Sequence, residues 1–178
     1  MTALHDNRPA LRGFTLIELM AAIAVLGILL SMAVPSFQST LLRSRLTSQT
    51  SDLVADVLFA RSEAAARGRW IVICPSSDGS TCSSSDWANG RVVFVDSDRN
   101  GARASGETLL KNVSALSGSP TVTLSGFSTS YLAFSPYGGL VPSGNAGTVK
   151  ICLPAFAEGR LVTIGANGRP SSTSATCP

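Results

Sequence analysis

Residues 14–34 read FTLIELMAAIAVLGILLSMAV, twenty-one positions holding a single charge, Glu18. As an α-helix rising ~1.5 Å per residue the run spans roughly 30 Å, about one bilayer hydrocarbon core. A helix apolar on every side has no polar face for water, so it is expected in lipid or among other helices. It is longer than the roughly 7–15 apolar residues of a secretory signal, and no small-x-small cleavage site follows it. A carboxylate five residues into such a run is expensive and needs a reason. Either Glu18 sits at headgroup level, or it pairs with a cation on a neighbouring chain. Two arginines precede the run (Arg8, Arg12) and two follow it (Arg43, Arg45), so positive charge leaves the orientation undecided. Four cysteines in the remaining domain point to an oxidising compartment, outside the cytoplasm.

Elsewhere the chain is poor in charge. Charged residues make up 14%, against about 25% in an ordinary soluble domain, while the hydrophobic share of 44% is enough to build a core. That combination excludes a disordered chain. A net charge of +3 is too small to imply a nucleic-acid partner by itself.

Beyond Pro35, Leu42, Leu46, Leu53, Val57 and Ala64 recur at spacings of four or seven, one face of a helix, with Asp52, Asp56, Arg61 and Glu63 mostly elsewhere. Gly68 is a natural C-terminal cap. One long helix is therefore expected from about Phe14 to Arg67, bent near Pro35. After Gly68 the pattern becomes that of strands, with RWIVIC (69–74) and RVVFVD (91–96) the strongest. Further strands are expected at 108–113, 121–124, 131–134, 148–153 and 160–164, separated by Gly/Ser/Asn/Pro clusters. The fold class is α+β: a helix on an antiparallel sheet of six or seven strands, the sheet whole or split in two.

Gly13-Phe14-Thr15-Leu16-Ile17-Glu18-Leu19 resembles the leader junction of type IV prepilins and type II secretion pseudopilins. That resemblance implies a prepilin peptidase cutting between Gly13 and Phe14 and methylating the new Phe14 amine. It also implies that Glu18 is the assembly glutamate, pairing with a neighbour's amine, and that Pro35 is the helix-kinking proline. The domains are then a leader, 1–13; a transmembrane and filament-core helix, 14–35; an amphipathic helix, 36–68; and a β-rich domain, 69–178. The processed chain would contain no histidine, since His5 lies in the leader. That excludes Ser-His-Asp and Cys-His catalysis and any His-ligated metal. ICPSSDGSTC, WANGRVVFVDSDRNG and the terminal NGRPSSTSATCP narrow the resemblance to the GspH/FimT branch of minor pseudopilins and minor pilins. What this implies is a non-enzymatic filament subunit of a type II secretion pseudopilus or type IV pilus. It would be anchored in the bacterial inner membrane by a single pass with its domain in the periplasm, and its partners would be other pilin or pseudopilin subunits.

Four cysteines allow three pairings. Cys74–Cys82 would close a short Ser/Gly-rich loop and Cys152–Cys177 would tie down the C-terminal tail; these are the favoured pairs. No CxxC pair exists to favour zinc. Asp96, Asp98, Asn100, Gly101 and Glu107 match the calcium-loop pattern D-x-D-x-N-G-x5-E. Strands rather than helices flank it, however, so the preferred reading is a turn whose side-chain oxygens cap backbone amides, with calcium as the alternative and no cofactor otherwise. Gly168-Arg169-Pro170-Ser171 touches on DNA binding, because some FimT-type minor pilins bind DNA through a GRxR element. Ser171 replaces the second arginine here, and Arg160 and Lys150 are the candidates for added charge.

Overall fold

The computed structural model describes residues 13–178, apart from the side chains of residues 32–36. The first twelve residues of the leader and the side chain of Pro35, with the bend expected there, lie outside the described residues. The chain divides into two compact units, one ending at Thr40 and the other comprising Leu41–Pro178.

The one α-helix among the described residues, α1, covers Leu16–Arg67. It stops as a Schellman motif stops a helix: Gly68 takes the left-handed conformation (φ 62°) and Arg69 N–H reaches back to the Ala64 carbonyl at 3.3 Å. Nine strands follow: β1 (Trp70–Pro75), β2 (Arg91–Asp96), β3 (Leu109–Val113), β4 (Thr121–Ser125), β5 (Leu132–Phe134), β6 (Leu140–Val141), β7 (Gly147–Cys152), β8 (Glu158–Ile164) and β9 (Pro170–Thr176). They form two antiparallel sheets, a five-stranded one ordered β3-β2-β1-β5-β6 and a four-stranded one ordered β4-β7-β8-β9. The sheet is thus split and has more strands than the sequence pattern predicts. The two unpredicted strands are β6, only two residues long, and β9, a Ser/Thr run exposed along most of its length with no apolar alternation to read.

Within the second unit, Leu46, Leu53, Val57, Ala60 and Ala64 of α1 pack on both sheets. They meet Ile71, Ile73, Val93, Leu132 and Phe134 of the first sheet and Val149, Ile151, Val162 and Ile164 of the second. The first sheet also buries its far face, where Val72, Cys74, Val92, Phe94 and Ala133 form a second cluster under the loops. Burial on both faces explains why β1 and β2 read as unbroken apolar runs rather than alternating ones.

One charged residue departs from the expected pattern. Asp56, adjacent to Val57, is fully buried rather than on the polar face of the helix. Its carboxylate accepts from buried Arg91 Nε of β2 at 2.6 Å and from Lys111 Nζ of β3 at 2.6 Å. Two cations on two strands thereby hold the helix to the first sheet. Removing Asp56 would strand both cations without a counter-charge, Arg91 in low dielectric.

Candidate functional site

The N-terminal segment is built by local chemistry. Thr15 is the residue before the first helical position, and its hydroxyl accepts from Glu18 N–H at 3.3 Å. In return, Glu18 Oε2 accepts from both the Thr15 N–H and the Thr15 hydroxyl, each at 2.9 Å. This is a capping box, T-x-x-E, satisfying helix-start donors reciprocally. The carboxylate in the first turn also faces the positive end of the helix dipole. Glu18 Oε1 makes no hydrogen bond among the described residues. Sequence reasoning named Glu18 and missed Thr15, although the T-x-x-E spacing was the signal.

Around this cap the apolar side chains are bare. Gly13 and Phe14 are exposed, Phe14 at 92%, and so is every side chain from Thr15 to Ser31. Among the described residues no helix is long and apolar enough to cross a membrane. The described side chains of this stretch stop at Ser31, and the sequence continues the apolar run through residues 32–34.

The acidic loop between β2 and β3 is held by its own carboxylates. Asp96 Oδ1 accepts from Arg99 and Asn100 N–H, and its Oδ2 accepts from Gly101 N–H. Glu107 accepts from Ser97 N–H through Oε1 at 2.7 Å and from Ala104 N–H through Oε2 at 3.0 Å. Asp98 accepts from Asn100, through both its backbone and its side-chain amide. Oxygens of Asp96, Asp98 and Glu107 lie within 4.8 Å of one another. Burial raises the Asp96 carboxyl above the ordinary carboxylate range, with the nearby Glu107 charge adding to it and the amide bonds opposing. Gly101 takes φ 75° and its Cα lies against the Tyr131 ring, so a side chain there would displace the tyrosine.

Cys74 is bonded to Cys82 and Cys152 to Cys177. The first bond closes the loop after β1. There Asp78, held low by the Thr81 hydroxyl and the Thr81 and Ser80 amides, organises the turn. The second ties the residue after β9 to β7, across β8.

The basic residues near the C-terminus do not form one patch. Arg169 is exposed in the turn joining β8 to β9, where Asn167 Oδ1 accepts its N–H. Arg160 pairs in register with Ser174, four residues along β8 from the Ile164–Pro170 pair, so it sits on the order of 13 Å or more from that turn at ~3.3 Å per residue. Arg160 shares the helix-facing side of its sheet with Val162 and Ile164, whereas Lys150, between buried Val149 and Ile151, takes the other side. Arg169 has a different neighbour, the turn between β5 and β6. Arg61 of α1 donates through Nε to the Gly138 carbonyl at 3.0 Å and the Asn167 carbonyl at 3.2 Å, clasping the two turns. At Gly168 (φ 71°) a Cβ would strike the Gly138 carbonyl, so the turns touch backbone to backbone. Tyr137, 95% exposed, is at the tip of the second turn. The sequence pattern did not single out Tyr137, because nothing local links residues thirty apart.

Comparisons with known proteins agree with this architecture. Residues 9–34 match the prokaryotic N-terminal methylation motif. A 46-residue stretch is 46% identical to the type IV major alpha-pilin of Moraxella bovis, a match covering 26% of this chain and 29% of that pilin. The crystal structure of the type IV minor pilin FimU from Pseudomonas aeruginosa superposes with a TM-score of 0.57 at 27% identity, over 74% of this chain and 90% of that one. The minor pseudopilin EpsH of the type II secretion system of Vibrio cholerae shares the fold, with a TM-score of 0.51 at 12% identity, over 74% and 97% of the two chains. Residues 49–168, from the buried face of α1 through the β8–β9 turn, match the family described as type II transport protein GspH, and the chain belongs to that family of pilin-like minor pseudopilins and minor pilins.

Proposed function

We propose that this protein is a non-enzymatic filament subunit, cut between Gly13 and Phe14 by a prepilin peptidase and methylated on the new Phe14 amine. Its apolar helix anchors it in the bacterial inner membrane by a single pass, with the β-domain in the periplasm. From there it enters a type II secretion pseudopilus or a type IV pilus, at the tip or in the initiating complex, with other pilin or pseudopilin subunits as partners. The observation that carries this reading is the run of bare apolar side chains directly after the Gly13–Phe14 junction. Lipid would cover it before assembly and neighbouring helices would cover it afterwards. Thr15 occupies only Oε2 of Glu18, which leaves Oε1 for the amine of an adjacent subunit. Intact-mass measurement of the membrane-extracted protein tests the reading. Loss of residues 1–13 with gain of one methyl group, only in cells holding active peptidase, is the expected result. An unprocessed chain in both cases would overturn it.

In this reading the 96–107 loop is a turn held by its own carboxylates and takes no cofactor. Seven loop-amide hydrogen bonds to Asp96, Asp98 and Glu107 support it. A rise in melting temperature on adding calcium would overturn it and establish a calcium site at Asp96, Asp98, Asn100 and Glu107.

A second reading, a DNA-binding minor pilin, draws its support from exposed Tyr137 beside the Arg169 turn. A bare aromatic next to a cation suits base stacking with phosphate contact. Arg160 does not belong to that surface. A gel shift at low salt that Arg169→Ala and Tyr137→Ala each weaken would support this reading, and no shift by the native chain would exclude it.

A further inference from the structure

Among the described residues, no strand pairs with the outer edge of β9. Gly165 N–H bonds the Arg169 carbonyl and Cys177 N–H bonds the Ala157 carbonyl, bracketing the β8–β9 ladder at its two ends. Hydrogen-bonded pairs alternate in an antiparallel ladder, so Ser171, Thr173 and Ala175 turn their backbone groups toward β8. Ser172, Ser174 and Thr176 therefore present their N–H and C=O groups outward, and all three residues are exposed. Edge strands are ordinarily blunted by charge, proline, a bulge or a covering element. β9 has no charged residue, its register with β8 is unbroken, and its one proline, Pro170, stands at its first position.

A groove of about 700 Å³ opens beside this edge, on the helix-facing side of the sheet. It is lined by Arg43 and Leu46 of α1 and by Glu158, Arg160, Ser174 and Thr176. Arg43 is paired with Glu158. Arg160 makes no ion pair among the described residues; its guanidinium reaches over to β9, with Nη1 donating to the Ser174 hydroxyl at 3.2 Å. It thus extends toward the position a neighbouring strand would occupy, ~4.8 Å beyond β9.

We propose that β9 is a docking edge. It adds, as a fifth strand of its sheet, an extended segment of another polypeptide that places a carboxylate opposite Ser174, within reach of Arg160. Main-chain hydrogen bonds to Ser172, Ser174 and Thr176 supply affinity, and the groove and its arginine supply selectivity. The occupant is not an edge strand of a second copy of this chain. The chain's own sheet-edge strands, β3, β4, β6 and β9, read LLKNV, TVTLS, LV and PSSTSAT, and none contains a carboxylate.

The test is amide hydrogen exchange of the full chain in detergent micelles. The probe is a blocked nine-residue peptide of alternating Thr and Val with one central Asp, compared with its central Asn and Lys counterparts and with a mixed-sequence single-stranded oligonucleotide. At saturation the Asp peptide should slow exchange at Ser172, Ser174 and Thr176 by about tenfold or more while leaving Ser171, Thr173 and Ala175 unchanged. It should bind about threefold tighter than the Asn peptide, and the Lys peptide should bind weakest. Arg160→Gln should abolish the Asp preference and keep the alternating protection. Ser172→Pro should abolish the protection itself, because that N–H faces outward and the ring blocks an added strand; an unchanged spectrum at Thr173 and Ala175 verifies the fold. Unaltered exchange at the three outward amides with every peptide at millimolar concentration would overturn the proposal, as would protection confined to β4. Protection that grows with protein concentration in the absence of peptide would assign the edge to a second copy. Perturbation of Arg160 by the oligonucleotide alone would assign the groove to nucleic acid.

Discussion

The two halves of α1 share one backbone geometry and differ in what surrounds them. From Leu16 to Ser31 every side chain is exposed, with Leu16 at 77% and Ile28 at 63%. From Leu46 to Ala64 one stripe is completely covered by the two sheets, and it includes a carboxylate supplied with two cations. The second half owes its burial to this chain's own strands, and the first has no such cover. A long helix in a short protein can thus be half fold and half interface, and substitutions should separate the two roles.

The sharpest separation is expected at the two acidic residues. Asp56→Ala leaves the buried Arg91 uncompensated and should cost about 3–5 kcal/mol in urea unfolding of the full chain in micelles. Replacing the pair together, Asp56→Leu with Arg91→Met, should lose far less, because the desolvation penalty is removed with the charges. Glu18→Ala should leave the same transition unmoved. A comparable loss from both single variants would break the comparison, since it would make the first half part of the fold.

Apolar truncations follow the same logic. Leu53→Ala should cost about 2–5 kcal/mol through a cavity under the sheets. Ile23→Ala should not shift the unfolding of the β-domain and should instead reduce recovery in filaments. The disulfides come next. Cys152–Cys177 spans 25 residues and Cys74–Cys82 spans 8. Each should contribute about 2–4 kcal/mol, the longer loop roughly 1 kcal/mol more on chain-entropy grounds. Cys177→Ser should also free the end of β9, read as faster amide exchange at Ala175 and at position 177.

The loop aspartates should contribute smaller, opposite pH dependences. The Asp78 carboxyl is lowered, so folding binds fewer protons there. Its contribution is present above the ordinary carboxylate range and is lost as pH falls. The Asp96 carboxyl is raised by burial, so the folded state binds more protons and stability declines as pH rises through that raised range. Asp78→Asn should flatten the acid limb of a melting-temperature profile, and Asp96→Asn should remove the decline. A shared direction for both would contradict the assigned environments.

What the sequence made legible follows from which signals are local. β2 has the predicted bounds because RVVFVD is buried on both faces and flanked by turn residues. The helix end was legible because Gly68 alone suits φ 62°. β9 was not legible, because a strand exposed on both faces carries no apolar alternation. The burial of Asp56 was missed because its partners come from β2 and β3, more than thirty residues away. The separation of Arg160 from Arg169 depends on the β8–β9 register, which no composition encodes.

The smallest expected effect bears most directly on how Glu18 acts. In this structure its carboxylate caps its own helix through Thr15, and a capping residue is worth only about 1 kcal/mol. Assembly through a neighbour's amine needs the charge, whereas capping needs only an acceptor at the third helical position. Gln supplies that acceptor, so Glu18→Gln keeps the capping box and removes the charge. Thr15→Ala does the reverse, removing the hydroxyl and leaving the carboxylate. If pairing governs incorporation, Glu18→Gln fails to enter filaments while Thr15→Ala enters at near-native levels, with cleavage after Gly13 intact in both. If the cap governs it, the order inverts. Quantifying both variants in sheared filaments against the membrane fraction therefore decides whether this carboxylate serves its own helix or the next subunit.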